Sequence, residues 1–81
     1  MKPRTAPLGD KNIIGARVTK LRKLNYMSQK ELAMNMQLMG IDMNLSSLSK
    51  LEGQTRIATD REVYAIARIL NISVDELFRT L

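Results

Sequence analysis

Three segments of this chain share one four-residue pattern: Ser28-Gln-Lys-Glu31, Thr59-Asp-Arg-Glu62 and Ser73-Val-Asp-Glu76. In each, the first hydroxyl can accept from the backbone N–H three residues on, and the glutamate can reach back to the N–H of the first residue. This reciprocal pair satisfies two backbone donors that the start of a helix leaves open. A single match is common in any sequence. Three matches, each directly ahead of apolar residues, fix where three helices begin.

The apolar spacing supplies the rest. Residues 1–11 hold Pro3, Pro7 and Gly9 and few apolar side chains, which predicts a flexible basic arm. From there residues 12–81 are expected to form one domain. Ile14, Val18 and Leu21 stand at helical spacing, with Leu24 on the edge of that stripe, and Asn25-Tyr26 ends the helix. After Ser28, the residues Leu32, Ala33 and Met36 face inward, and Gly40 is a suitable left-handed stop. Asn44 can cap a short helix anchored by Leu48 and Leu51 and closed by Gly53. Val63, Ile66, Ala67 and Leu70 form the stripe of the next helix, with Asn71 as its cap, and Leu77 and Phe78 follow the third box. No segment alternates with period two, so no strands are expected. The chain is therefore all-α, with five short helices.

Composition narrows the function. The 81 residues contain no Cys and no His. This removes thiolate chemistry, the commonest general base and the commonest metal ligand. The glutamates at positions 31, 62 and 76 are accounted for as caps, and no carboxylate pair is set up for acid–base work. An enzyme is not expected, nor a metal or cofactor. No apolar run reaches the length of a membrane span, and no leader segment is evident, so a soluble cytoplasmic protein without a membrane partner is expected. A chain of this size buries only about 60–65% of its unfolded surface, so its core is modest and a second domain has no room. The net charge is +5, and it is unevenly placed. Residues 1–25 carry seven basic side chains against Asp10 alone, whereas residues 26–81 carry six basic and seven acidic ones. A basic end on a near-neutral body suits a polyanion, although a solvated basic helix gives the same numbers.

The span from Ser28 to Gln54 has the layout of two helices joined by a turn, the second short and polar on one side. The segments IGARVTKLRKL at 14–24, SQKELA at 28–33, LSSLSKLEGQ at 45–54 and ILNISVDELF at 69–78 occur in order and frame about four-fifths of the chain. Together they resemble the Xre-type helix-turn-helix family, which includes the Cro and phage-repressor DNA-binding domains. The resemblance implies a compact five-helix, lambda-repressor-like DNA-binding domain. It also implies a transcriptional regulator, most often a repressor, that binds double-stranded DNA as a homodimer with its third helix in the major groove. By that resemblance Gln29 holds a phosphate and braces the recognition helix, with Ser28 beside it. Leu45, Ser46 and Lys50 stand where base edges are reached, with Ser47 and Ser49 close by. Gln54, Thr55 and Arg56 match a phosphate-contacting loop, and Arg22 and Glu52 match a charged pair tying helix 1 to the end of helix 3. Two departures stand out. Between Ala33 and Leu48 the chain has about five residues more than the family spacing, lengthening either helix 2 or the turn. Leu45 is apolar where polar residues are common.

Each feature also has a plainer account. Lys50 can contact a guanine edge or a phosphate, or simply be solvated. The serines can meet bases or phosphates, but serine also populates helix starts for the sake of free N–H groups. Leu45 can pack on a thymine methyl; folding back onto the turn near Ile41 and Met43 is slightly favoured. Four methionines lie between Met34 and Met43, and gap-filling in the core is the expected use of most of the chain's methionines. Phe78 is expected in the core rather than, with Leu81, at a dimer contact. The alternative to a DNA regulator is a protein-interaction or antitoxin module that keeps the same fold. An apolar patch exposing Leu45, Met43 and Ile41 together would mark it.

Overall fold

The computed structural model describes residues 11–79. Almost all of the proposed arm and Leu81 therefore lie outside the described residues. Five helices follow one another: α1 (Gly15–Leu24), α2 (Gln29–Leu38), α3 (Leu45–Glu52), α4 (Asp60–Ile69) and α5 (Val74–Leu77), with no strand among the described residues. All three capping boxes form, at the starts of α2, α4 and α5. Asn44 caps α3 through its Oδ1, which accepts from Ser47 N at 2.7 Å.

The helix ends follow one pattern as well. At the ends of α1, α2, α3 and α4, a residue with positive φ turns the chain: Tyr26, Gly40, Gln54 and Asn71. In each case the next N–H bonds back across the last turn: Met27 to Arg22, Ile41 to Met36, Thr55 to Lys50 and Ile72 to Ala67. This is the paired closure that satisfies free carbonyls at a helix end. Gly53 is not the left-handed residue that closes α3. It stays right-handed at φ −80°, and the turn falls on Gln54.

The core is built from one face of each helix. Ile14, Val18, Leu32, Ala33, Met36, Met43, Leu48, Leu51, Ile66, Ala67, Leu70 and Leu77 form a single buried cluster. α2 packs on α3 and α4, α1 packs on α3, and α5 packs on α4. The α1–α3 approach is close because position 15 is glycine. A β-carbon there would lie 2.7 Å from Glu52 O and from Gln54 Cγ, and closer still to Leu51 O.

Several expectations are corrected. Phe78 is not in the core. It is 43% exposed, and Leu77 is the buried anchor of α5. A single turn has only one inward position, and Leu77 occupies it. Of the methionines near the α2–α3 turn, Met36 and Met43 fill the core, but Met34 and Met39 are exposed. The extra length between Ala33 and Leu48 includes a connection, residues 39–44, longer than the three or four residues usual in this motif. Met43 plugs that turn into the core, and Gln37 Nε2 holds it by donating to Met43 O at 2.6 Å.

Candidate nucleic-acid interface

α3 is buried on one side and open on the other. Leu48, Leu51 and Glu52 face the protein, and Leu45, Ser46, Ser49 and Lys50 are exposed. Positions 45, 46, 49 and 50 fall on one arc of a helix with 3.6 residues per turn. The exposed side therefore offers two hydroxyls, one ammonium and one isobutyl group on a continuous strip. Ser47 is half-buried, and its N–H goes to the Asn44 cap. Leu45 does not fold onto the turn: it remains 50% exposed, because Met43 already occupies the core position there.

The buried side of α3 is fixed at its C-terminal end by Glu52. Arg22 approaches it with two nitrogens, Nε to Oε2 at 2.8 Å and Nη2 to Oε1 at 3.0 Å. Gln29 Nε2 donates to the same Oε1 at 2.9 Å, and Thr19 Oγ1 at 3.0 Å. Arg22 Nη1 also donates to Met27 O at 2.8 Å, tying in the α1–α2 turn. Burial opposes ionisation of Glu52. The hydrogen bonds from Arg22, Gln29 and Thr19, with the charge of Arg22, outweigh it and hold the carboxyl below its ordinary range.

The loop after α3 is held from a different direction. Asn12 Nδ2 donates to Leu51 O at 3.0 Å and to Arg56 O at 2.7 Å. Its Oδ1 accepts from Ile14 N and Gly15 N, capping the start of α1. Gln54 returns the contact, Nε2 donating to Asn12 O at 3.1 Å. Arg56 forks onto Glu62 at 3.0 and 3.3 Å, and Glu62 is also the glutamate of the α4 capping box. Among Gln54, Thr55 and Arg56, two side chains are thus engaged inside the protein. Thr55 is exposed, with its hydroxyl donating to Lys50 O. At the start of α2, Ser28 is exposed and Gln29 half-buried. Glu31 is held below its ordinary range by the Ser28 backbone N–H first and the Ser28 hydroxyl second.

Sequence reasoning missed Asn12, Gly15 and Thr19. Asn12 has the type of a cap and precedes an apolar period, which is a usable signal. Thr19 has none, because its partner lies 33 residues away. Arg17 also behaves differently from a free surface cation: its Nε donates to Glu76 O at 3.3 Å and joins α1 to α5. Among the described residues, no helix is long and apolar enough to cross a membrane.

A family model described as helix-turn-helix matches residues 18–77, from Val18 in α1 to the end of α5. No curated protein and no solved structure matches the chain.

Proposed function

The chain belongs to the helix-turn-helix family of the Xre and Cro type and is a DNA-binding helix-turn-helix protein, and from that premise we propose that it is a sequence-specific transcriptional repressor whose α3 lies in the major groove. The observation that carries this is the two-sided character of α3. Its inner side is locked to α1 and α2 through Glu52, and its outer strip of Leu45, Ser46, Ser49 and Lys50 has no partner among the described residues. A rigid helix with short polar side chains outward suits base-edge contact. Lys50 reaches a guanine edge, Ser46 and Ser49 donate or accept nearby with Ser47 at the rim, and Leu45 lies on a thymine methyl. Ser28, Gln29 and Thr55 take phosphates on either side. Gln54 and Arg56 act there through the loop backbone that they hold in place.

The patch that would favour a protein partner at α3 does not form: Met43 is fully buried and Ile41 half-buried, leaving Leu45 alone. Exposed apolar side chains lie instead at Met34 and Leu38 on α2 and at Met39 just after it. They are what keeps an interaction module as the second reading.

One helix reads only a few base pairs, so a two-fold homodimer engaging half-sites about 34 Å apart completes the proposal. Val74 and Phe78, four residues apart on the exposed side of the last helical turn, are the dimer contact it assigns. The protein acts in the cytoplasm, where operator DNA is accessible, and residues 1–11 add sequence-independent attraction.

Selection of bound sites from random duplex DNA tests this. An enriched, two-fold symmetric site supports the proposal. Absence of any enriched site, or binding indifferent to salt, overturns it. With roughly six phosphates engaged, affinity falls about a thousandfold between 50 and 200 mM salt.

A further inference from the structure

Four helices end in a left-handed residue, and three of the four choices are accounted for. Gly40 has no β-carbon to clash. Asn71 is a residue type that tolerates this region. Gln54 is compensated by its hydrogen bond to Asn12 O. Tyr26 has no such account. Its φ is 54°, a region in which a bulky L-residue is disfavoured. Its side chain is 95% exposed and makes no hydrogen bond among the described residues. The folded chain bears the backbone strain and gains no packing from the ring.

The backbone turn that carries the ring is nevertheless fixed. Tyr26 N donates to Lys23 O at 3.0 Å and Met27 N to Arg22 O at 3.1 Å, while Arg22 Nη1 donates to Met27 O. The turn is thus bolted to the cluster that positions α3. Two residues further on stands Ser28, the exposed cap of α2. Lys23 in the last turn of α1 and Lys20 three residues earlier are exposed, with no salt bridge among the described residues. An exposed phenol on a hydrogen-bonded turn, following two exposed lysines in the chain and preceding a helix cap, suits an anionic ligand outside the protein.

We propose that Tyr26 is a DNA-backbone contact. Its O–H donates to a phosphate oxygen next to the phosphate held at Ser28 and Gln29, and Lys23 supplies charge beside it. Tyrosine fits this role because it reaches far with only two rotatable side-chain bonds. The inference rests on the DNA-binding reading above and extends the footprint from α2 onto the α1–α2 turn.

The test compares the full chain with Tyr26→Gly, Tyr26→Phe and Lys23→Ala, measuring Tm, self-association by sedimentation, and affinity for a duplex that the parent selects and for its scrambled version. Tyr26→Gly relieves the left-handed strain, so Tm rises by about 5 °C. The same variant binds about tenfold more weakly. Tyr26→Phe keeps the parental Tm and loses a similar factor. Both losses are equal on the two duplexes, because phosphates carry no sequence information. Neither tyrosine variant changes the number of Lys and Arg side chains, so the salt slope stays parental in both, whereas Lys23→Ala reduces it by about one.

A Tyr26→Gly variant that is more stable and binds like the parent overturns the proposal. So does a lower Tm, which would reveal support for the ring, or a loss confined to one base position. A change in self-association instead of DNA affinity assigns Tyr26 to a protein contact and overturns it equally. If the parent selects no duplex, the DNA-binding reading fails with it; if the parent binds and the tyrosine variants are unchanged, only this inference fails.

Discussion

Gln29 Nε2 lies 2.9 Å from Glu52 Oε1, so the first residue of α2 is bonded to the last residue of α3. The angle between the two helices is therefore set by a side-chain bond as well as by packing. Arg22 and Thr19 reach the same carboxylate, which makes Glu52 the point where three helices meet.

Removing that carboxylate strands the buried guanidinium of Arg22. Glu52→Ala is expected to lose about 3–5 kcal/mol of stability, a large share of what a domain of this size has. Gln29→Ala removes one hydrogen bond and is expected to lose about 1 kcal/mol. Urea denaturation of the two variants measures both. Equal midpoints for Glu52→Ala and the parent would show that the ion pair is dispensable.

Acid acts on the same group. The folded-state value of Glu52 lies below its ordinary 4.5, so the folded chain holds the ionised form more tightly than the unfolded chain does. Its contribution is fully present above the unfolded value and is lost as pH falls through the folded one. Stability should be level from neutrality to about pH 5 and decline below it. A Glu52→Gln variant should show a shallower decline, followed by thermal melts at successive pH values.

Gly15 is expected to resist any substitution. Alanine would favour the helix by up to about 1 kcal/mol. Its methyl, however, meets the backbone carbonyls of Leu51 and Glu52, which cannot swing aside as a flexible side chain would. Overpacking of this kind costs about 1–3 kcal/mol, so Gly15→Ala should lower Tm. A Tm at or above the parent's would mean that α1 and α3 can separate without penalty.

At the DNA surface, Lys50→Ala is expected to relax preference at one base position of a selected site by about 1–3 kcal/mol, leaving other positions unchanged. Competition binding against single-base variants of the duplex reads this directly. Uniform weakening at every position would instead place Lys50 on a phosphate.

The last prediction concerns assembly. Phe78→Glu puts a charge beside Val74 on the proposed dimer contact. Cooperative binding to paired half-sites should disappear, while binding to a single half-site persists. Gel-shift titrations on the two kinds of duplex distinguish these outcomes, and retained cooperativity would move the dimer contact elsewhere.

How much of this was visible beforehand follows from the range of each interaction. The capping boxes at Ser28, Thr59 and Ser73 involve residues three apart, so the sequence displays them in full. Leu48 and Leu51 were equally legible because α3 has one narrow apolar stripe. The helix ends were harder. Gly40 and Asn71 are ordinary stop residues, but the residue types of Tyr26 and Gln54 do not mark them as left-handed. Phe78 reads as a core residue from the sequence because a four-residue helix has too little periodicity to set it apart from the buried Leu77. Thr19 acts on Glu52, 33 residues away, and nothing local marks it; Asn12 shows the residue type of a cap, but its bonds to Leu51 and Arg56, 39 and 44 residues away, are set by the fold. The inward turn of Gln54 and Arg56 has the same origin: their neighbours, Asn12 and Glu62, are set by the tertiary fold and by the α4 cap.

Asn12 sits at the junction between the folded body and the ten residues preceding Lys11, and it is riveted on both sides, to the start of α1 and to the carbonyls of Leu51 and Arg56. The preceding chain therefore departs from a fixed origin beside the end of α3. With the arm on DNA as proposed, cations attached there would act as tethered ligands: their local concentration at a neighbouring phosphate would be set by the few residues between charge and rivet, not by the concentration of protein in solution. Loosening Asn12 would dilute them without removing a single charge.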